Sequence, residues 1–166
     1  MNQSFNIKGN RGTTMIEILV TVIVFSIGLL GIIGMQTLGL RNNTTAYNRS
    51  QATILAYDIA DRARANPLGA AYYDFTSTTP SAQTSCASTS GCSNQNMAKN
   101  DGYEWLQSLA QGLPDGQGVV CIDSSPDDGS PGAEACDGTG TVYAIKVWWD
   151  EERDGNYKMF YTDFKI

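Results

Sequence analysis

Four cysteines carry the clearest covalent chemistry in this sequence of 166 residues: Cys86, Cys92, Cys121 and Cys136. Four thiols allow three disulfide pairings, of which the pairing of sequence neighbours, Cys86–Cys92 and Cys121–Cys136, is the simplest. Such spacings are typical of loops closed by disulfides in an oxidising compartment such as the periplasm. A zinc site is the alternative, but structural zinc favours closer Cys-x-x-Cys pairs, and neither spacing matches. We therefore expect disulfides rather than a metal site or free thiols.

Two acidic segments contain carboxylates of the kind that bind calcium. From Asp150 to Asn156 acids alternate and a glycine follows, as at the start of an EF-hand loop. The twelfth position is Tyr161 instead of a glutamate that binds through both oxygens, so the EF-hand pattern is not met. The second segment, from Asp123 to Asp137, is explained equally well as an acidic surface loop. We expect no cofactor, with calcium as an open alternative at these two segments.

The composition argues against catalysis and against nucleic-acid binding. The chain has no histidine, which removes the usual general base and the commonest transition-metal ligand. Its paired carboxylates occur only in predicted loops, and it has no glycine-rich phosphate-binding loop. The formal net charge is −6, whereas nucleic-acid binding is usually driven by a basic surface. We predict that the protein is not an enzyme and has no nucleic-acid partner.

A carboxylate stands at the entrance to a long apolar segment near the N-terminus. Ile18 to Met35 comprises 18 residues without a charge, which is long enough to span a bilayer as a helix. Glu17 precedes this segment directly, and ionisable groups in membrane segments are costly and commonly functional. A secretory signal would end its apolar core at a cleavage site after about 7–15 residues, whereas this run continues into a helical pattern. A plain membrane anchor explains the length but not the glutamate.

The basic leader, the glycine and the glutamate together resemble the class III signal of type IV prepilins. Lys8 and Arg11 precede Gly12, and Glu17 follows the glycine after four intervening residues. The resemblance implies that a prepilin peptidase cuts between Gly12 and Thr13 and methylates the new N-terminus. It also implies that Glu17 is the assembly glutamate, which pairs with the amine of Thr13 in the same or a neighbouring subunit. The positive-inside rule makes the leader cytoplasmic and the C-terminal domain periplasmic.

The chain is expected to have four segments: the cleaved leader 1–12, the transmembrane and assembly helix 13–36, the amphipathic helical spine 37–66, and the periplasmic globular domain 67–166. The spine carries an apolar, small-residue stripe near the helical period. Pro67 ends it, because the residue before a proline avoids the helical conformation. Asp58 and Arg62 are placed one turn apart, in the order that favours an ion pair.

The predicted elements of the globular domain are a loop over 76–101, a short helix over 103–109, strands over 118–122, 141–149 and 158–166, and a hairpin turn at 153–156. The last two strands alternate between apolar and other side chains, as strands with one buried face do. This combination predicts an α+β architecture, in which a small antiparallel sheet packs on the helical spine and disulfides supplement a modest core. The resemblance to pilins implies the same fold.

Three segments also resemble PilV-type minor pilins, the type IV pilus modification proteins, and with the first of them the resemblance touches both ends of the chain. They are residues 12–20, at the start of the chain, 54–67, at the end of the spine, and 147–151, in the C-terminal sheet. The resemblance implies a low-abundance subunit that primes fibre assembly in the bacterial inner membrane with other minor pilins and the major pilin. It would then lie at the tip of the surface pilus, often with a large tip adhesin, and support adhesion and twitching motility. The alternatives are a minor pseudopilin of a type II secretion system and a membrane-anchored periplasmic binding module.

Overall fold

The computed structural model describes residue 12 and residues 14–166, which form two compact units divided after Asn43. The helices are α1, Met15–Ala65, and α2, Asn94–Gly112; the strands are β1, Gln117–Ile122, β2, Tyr143–Trp149, and β3, Lys158–Phe164. Two short 3-10 helices cover Pro67–Tyr73 and Thr84–Ala87. A long N-terminal helix with a small antiparallel sheet confirms the predicted α+β, pilin-like fold.

The sheet of the second unit has the order β1-β2-β3, with both neighbouring pairs antiparallel. Ile145 on the central strand lies opposite Val120 on β1 and Thr162 on β3. Alternation along β2 places Ile145, Val147 and Trp149 in the main core with the buried side chains of α1 and α2. The three strands agree with the predicted ones to within two residues at each end.

Small side chains on α1 allow the other elements of the second unit to approach it closely. Ala52, Ala56, Ala60 and Ala63 are buried on one face, together with Ile59. Trp105 of α2 is fully buried, and its indole Nε1 donates a hydrogen bond to the carbonyl oxygen of Leu55 at 2.9 Å. The helical spine and α2 are therefore joined by a tryptophan that is both packed and hydrogen-bonded.

Helix α2 is longer than the predicted helix and begins within the predicted loop. Its first turn is capped by Ser93, whose hydroxyl oxygen accepts a hydrogen bond from the backbone N–H of Asn96 at 3.2 Å. Its buried face includes Ala98 and Gly102, ahead of the larger apolar residues. A Cβ added at Gly102 would lie 2.6 Å from Cζ of Phe75, so this position requires a small residue. Small core residues concealed the helical periodicity of the first half of α2.

The connection between β2 and β3 is a longer loop than the predicted tight turn at 153–156. The strands pair as far as Trp149 and Lys158, so residues 150–157 form the connection. The buried carboxylate of Asp150 accepts hydrogen bonds from the backbone N–H groups of Asp154 at 3.2 Å and Gly155 at 2.8 Å. A side chain that folds back on the loop thus replaces the ladder hydrogen bonds of a two-residue turn.

Candidate assembly site

Glu17 lies in the first turn of α1, with its side chain exposed. A carboxylate at this position interacts favourably with the partial positive charge of the helix N-terminus. No partner for this carboxylate is found among the residues that the structure describes. Lys8, Arg11 and Thr13 lie outside those residues, and so does the predicted cleavage site apart from Gly12. The pairing of Glu17 with the amine of Thr13 therefore stays a prediction.

The apolar segment that follows Glu17 is the one helical stretch, within the described part of the chain, that is long and apolar enough to cross a membrane. None of the residues in its most apolar stretch of 18 is buried inside the structure. The exposed fractions of its large apolar side chains, from Ile18 to Met35, range between 43% and 76%. A helix that is apolar around its whole circumference must be covered by lipid or by other helices. This part of α1 is consistent with membrane anchoring and with helix packing in a fibre.

The hydroxyl groups in and beside this segment are satisfied within the helix itself. Those of Thr21, Ser26 and Thr37 donate to backbone carbonyl oxygens four residues earlier, at 2.6, 2.7 and 3.0 Å respectively. Each unsatisfied polar group would cost several kcal/mol in hydrocarbon. Glu17 is therefore the polar side chain of the segment that needs an external partner.

Three glycines on the same segment leave room for another helix. A Cβ added at Gly28, Gly31 or Gly34 would find no atom within 4 Å. Small residues at a helix surface permit the close backbone approach that drives helix association in membranes. The three glycines themselves therefore place no side chain between α1 and a second helix.

In the second unit, Arg62 of α1 joins α2 through a network of carboxylates. Its guanidinium lies 3.0 Å from Asp58, 2.8 Å from Glu104 and 3.5 Å from Asp101. The predicted pair between Asp58 and Arg62 is confirmed. Burial alone would lower the pKa of Arg62, but Glu104 and the two aspartates outweigh it, so the pKa is raised.

The same network includes a buried tyrosine from the first 3-10 helix. The hydroxyl of Tyr73 donates to Oδ2 of Asp101 at 2.5 Å. Burial and this hydrogen bond raise the pKa of Tyr73, so it stays protonated well above its usual titration range. Tyr73 is fully buried, which makes the network part of the junction between helices rather than an accessible reactive group.

A lysine buried on the central strand is the charged centre that the sequence did not indicate. Lys146 is fully buried, and its ammonium lies 2.5 Å from Asp123 and 2.9 Å from Asp128. It also donates to the carbonyl oxygens of Asp128 and Glu134, at 3.2 and 2.9 Å. Burial alone would raise the pKa of Asp123 and lower that of Lys146. Lys146 and the backbone N–H of Ser125 instead lower the pKa of Asp123, and Asp123 and Asp128 raise that of Lys146. Lys146 thereby anchors the acidic loop, residues 123–137, to β2.

The four cysteines form two disulfides, Cys86–Cys92 and Cys121–Cys136, which is the sequence-local pairing. Cys121 is buried on β1 and packs with Val119 and Trp148, so the second disulfide joins the acidic loop to the sheet. The first closes a short loop of which much is exposed. Asp123 lies close to Cys121 and Cys136 in a metal-like grouping, but sulfurs joined to each other are not the thiolates that zinc requires.

The carboxylates of the two acidic segments bind groups of the protein. Asp123 and Asp128 pair with Lys146, and Asp150 accepts backbone N–H groups of its own loop. Asp137 accepts hydrogen bonds from the hydroxyl of Ser124 and, at 2.7 Å, from the backbone N–H of Thr139. These contacts use the oxygen atoms that calcium would need as ligands. Binding of calcium at either segment stays an untested alternative.

Comparison with known proteins gives one match and two negative results. No curated protein and no solved structure matches the chain at a significant level. A protein-family model described as "Tt1218-like: Type IV pilin Tt1218" matches residues 34–103. Pilins are structural proteins rather than enzymes. The match covers less than half of the chain and makes this part of it similar to a type IV pilin family, a similarity with which the pilin-like fold and the exposed apolar helix are consistent.

Proposed function

We propose that the protein is a PilV-type minor pilin, which primes type IV pilus assembly in the inner membrane and is incorporated at the pilus tip. The observation that carries this proposal is the exposed apolar part of α1 with Glu17 at its start. Such a surface is stable in lipid and in a bundle of similar helices, but not in water. The helix can therefore pass from the membrane into a fibre core without a change in its own fold.

Glu17 would make this transfer depend on the register between neighbouring subunits. In a fibre core its carboxylate would be buried, and a buried charge that lacks its partner costs about 3–5 kcal/mol. The amine of Thr13, freed by cleavage after Gly12 and methylated, is the proposed partner. Correct register between subunits would bring the amine and the carboxylate together, and incorrect register would leave the charge unpaired.

The proposed location follows from the leader and the cysteines. A basic leader on the cytoplasmic side supports a periplasmic location for the disulfide-containing domain, because cysteines are oxidised in that compartment. The proposed partners are the prepilin peptidase, the other minor pilins, the major pilin and a large tip adhesin. Through them the protein would support adhesion and twitching motility as part of the pilus on the cell surface.

The first experiment is mass spectrometry of the N-terminal peptide, with the protein taken both from cell envelopes and from sheared surface pili. We expect a peptide that begins at Thr13 and carries one added methyl group in both fractions. A protein that keeps residues 1–12 in cells would contradict the proposal. It would favour the membrane-anchored binding module, for which Glu17 has no assembly role.

A minor pseudopilin of type II secretion is the second candidate, because it would share the leader, the glutamate and the apolar helix. Deletion of the gene separates the two candidates when surface pili and secreted exoproteins are measured side by side. We expect loss of pili and of twitching with intact secretion. Loss of secretion with normal pili would assign the protein to the secretion system.

A further inference from the structure

The sheet of the second unit has two edges, and the edge along β1 is closed by other parts of the chain. The backbone N–H of Phe75 donates to the carbonyl oxygen of Val120 at 2.8 Å, and that of Gly138 donates to the carbonyl oxygen of Ile122 at 3.0 Å. Both acceptors therefore point away from β2. A further strand along β1 would have to displace the two segments that already bind there.

The same bonds determine which backbone groups of β3 face away from the sheet. Because Val120 points outward, its neighbour Val119 bonds to β2, where its register partner is Lys146. The next residue of β2, Ile145, must then turn toward β3, where its register partner is Thr162. By the same alternation, the residues of β3 whose backbone groups face away from β2 are Met159, Tyr161 and Asp163.

The outer edge of β3, in contrast to that of β1, is open. Each of its three outward residues contributes a backbone N–H and a carbonyl oxygen, and none of these groups has a hydrogen-bond partner within the part of the chain that the structure describes. Natural proteins commonly protect an edge strand with a proline, a bulge or a covering segment. β3 contains no proline, and its pairing with β2 runs from Lys158 to Phe164 without a bulge. Its charged residues lie toward its two ends, so residues 159–162 carry no charge.

The side chains at this edge indicate the chemistry of a strand that would pair with it. Tyr161 is 45% exposed, although it lies in the middle of β3. Asp163 is exposed as well, and its carboxylate forms no salt bridge among the described residues. Cross-strand pairs are most favourable between aromatic and β-branched side chains and between opposite charges. A matching strand would therefore present an aromatic or β-branched residue to Tyr161 and a basic residue to Asp163.

A second copy of this chain does not provide such a strand. Antiparallel pairing of β3 with itself around Tyr161 places Asp163 opposite Met159, and parallel pairing in register places two Asp163 carboxylates side by side. The first arrangement gives the carboxylate no cation, and the second is repulsive. A shifted register that pairs Asp163 with Lys165 leaves Tyr161 beyond the end of the partner's β3.

We propose that the outer edge of β3 binds an extended strand of a different pilin subunit, which continues the sheet from one globular unit into the next. Main-chain hydrogen bonds would supply the affinity, and the residues opposite Tyr161 and Asp163 would supply the specificity. This inference rests on the proposed function, because that function makes other pilins the neighbours of this unit. Contact with a different subunit also suits a fibre, since a self-complementary contact between two copies closes into a dimer.

Photocrosslinking of sheared pili tests the contact directly. In the Tyr161→p-benzoylphenylalanine variant the benzophenone reacts on irradiation with groups that touch it, and we expect mass spectrometry to find position 161 joined to a different pilin chain. Tyr103 on α2 is the matched control, because its exposed fraction of 39% is close to the 45% of Tyr161. The same substitution there should give at least tenfold less of that product. Equal yields from both positions, or products of position 161 with a second copy, with an adhesin or with no other chain, would overturn the inference.

Proline substitution gives a second and independent measurement. Y161P removes an outward N–H, whereas the hydrogen bonds to β2 belong to the neighbouring residues and are kept. We expect its incorporation into pili to be at least tenfold below that of the wild type, relative to its amount in the envelope. Y161T keeps the N–H at the same position and should stay within threefold of the wild type. Disulfide formation and protease resistance of the envelope protein show whether Y161P folds; if it does not, D163P, nearer the end of the strand, replaces it.

The two proposals fail in different ways. Absence of the wild-type chain from sheared pili would contradict the proposed function itself. Presence of the wild type together with normal incorporation of a folded Y161P variant would contradict the addition of a strand at β3 alone.

Discussion

The ammonium of Lys146 lies 2.5 Å from the carboxylate of Asp123, and neither side chain is exposed to solvent. This pair connects the central strand to the loop that follows β1, and the disulfide Cys121–Cys136 closes the same loop. A buried charge is stable only while its partner and hydrogen bonds are in place. The shape of the acidic loop therefore depends on a single lysine as well as on a covalent bond.

Replacement of Lys146 by methionine should destabilise the globular unit by about 3–5 kcal/mol, because Asp123 would be left buried without a cation. The full chain in detergent micelles can be unfolded with urea and followed by tryptophan fluorescence, since all three tryptophans lie in this unit. The K146M/D123L double variant should lose less than half as much stability. Equal loss in the single and double variants would contradict the argument from an unpaired charge, and K165M serves as a surface control.

The same pair gives a pH dependence whose sign follows from the two pKa shifts. The pKa of Asp123 is lowered, so its contribution is present above the unfolded value of about 3.9 and is lost as the pH falls through the folded pKa. The pKa of Lys146 is raised, so its contribution is complete below about 10.4 and is lost as the pH rises through the folded pKa. Urea midpoints from acid to alkaline pH should show both losses in the wild type and weaker ones in K146M/D123L. Identical dependence of the urea midpoint on pH in the wild type and in K146M/D123L would refute the assignment of both losses to this pair.

Two glycines of α2 should respond to alanine in opposite directions. At Gly102 a new Cβ would lie 2.6 Å from the ring of Phe75, and overpacking of this kind costs about 1–3 kcal/mol. At Gly112 the nearest atom would be Cδ1 of Leu55 at 3.5 Å, an ordinary contact, so alanine should be neutral or stabilise by up to about 1 kcal/mol. Thermal unfolding of G102A and G112A measures both. A Tm for G102A at or above that of the wild type would exclude the close packing of α2 against Phe75.

The two disulfides should differ in their contribution to stability. Chain-entropy estimates give about 3 kcal/mol for a loop of 15 residues and about 2 kcal/mol for one of six, the separations observed here. Loss of Cys121–Cys136 also releases the loop that Lys146 binds, so C121S/C136S should be more sensitive to protease than C86S/C92S. Unchanged protease resistance after mild reduction of the wild type would count against a structural role for both.

The sequence predicted those parts of the fold in which large apolar residues follow a clear period. The alternation of Tyr143, Ile145 and Val147 identified β2 because these residues share the face toward the main core. The alternation did not reveal that the opposite face, with Lys146, is buried as well. The first half of α2 was missed because its core positions are Ala98 and Gly102, whose size is set by Phe75 rather than by local preference. The period of apolar residues along a segment does not reveal its contacts with residues distant in sequence.

The same distinction between local spacing and contacts distant in sequence applies to the candidate sites. The site around Glu17 stays a prediction made from local spacing, whereas the pair Asp58–Arg62, which lies within one helical turn, is confirmed. Lys146 could not be recognised, since a lysine on a strand ordinarily indicates a solvent-exposed face. Its burial follows from the loop 123–137 folding over it, and an unusual number of acids between two cysteines is the only local sign of that arrangement.

The central claim is that the protein enters a fibre through Glu17, and incorporation of a Glu17→Ala variant into sheared pili tests it most directly. The variant should still be cut after Gly12 and accumulate in the envelope, but its amount in pili should fall at least tenfold. Glu152→Ala, which removes an exposed acid of the β2–β3 loop, is the matched control and should be incorporated normally. Normal incorporation of Glu17→Ala would contradict the account.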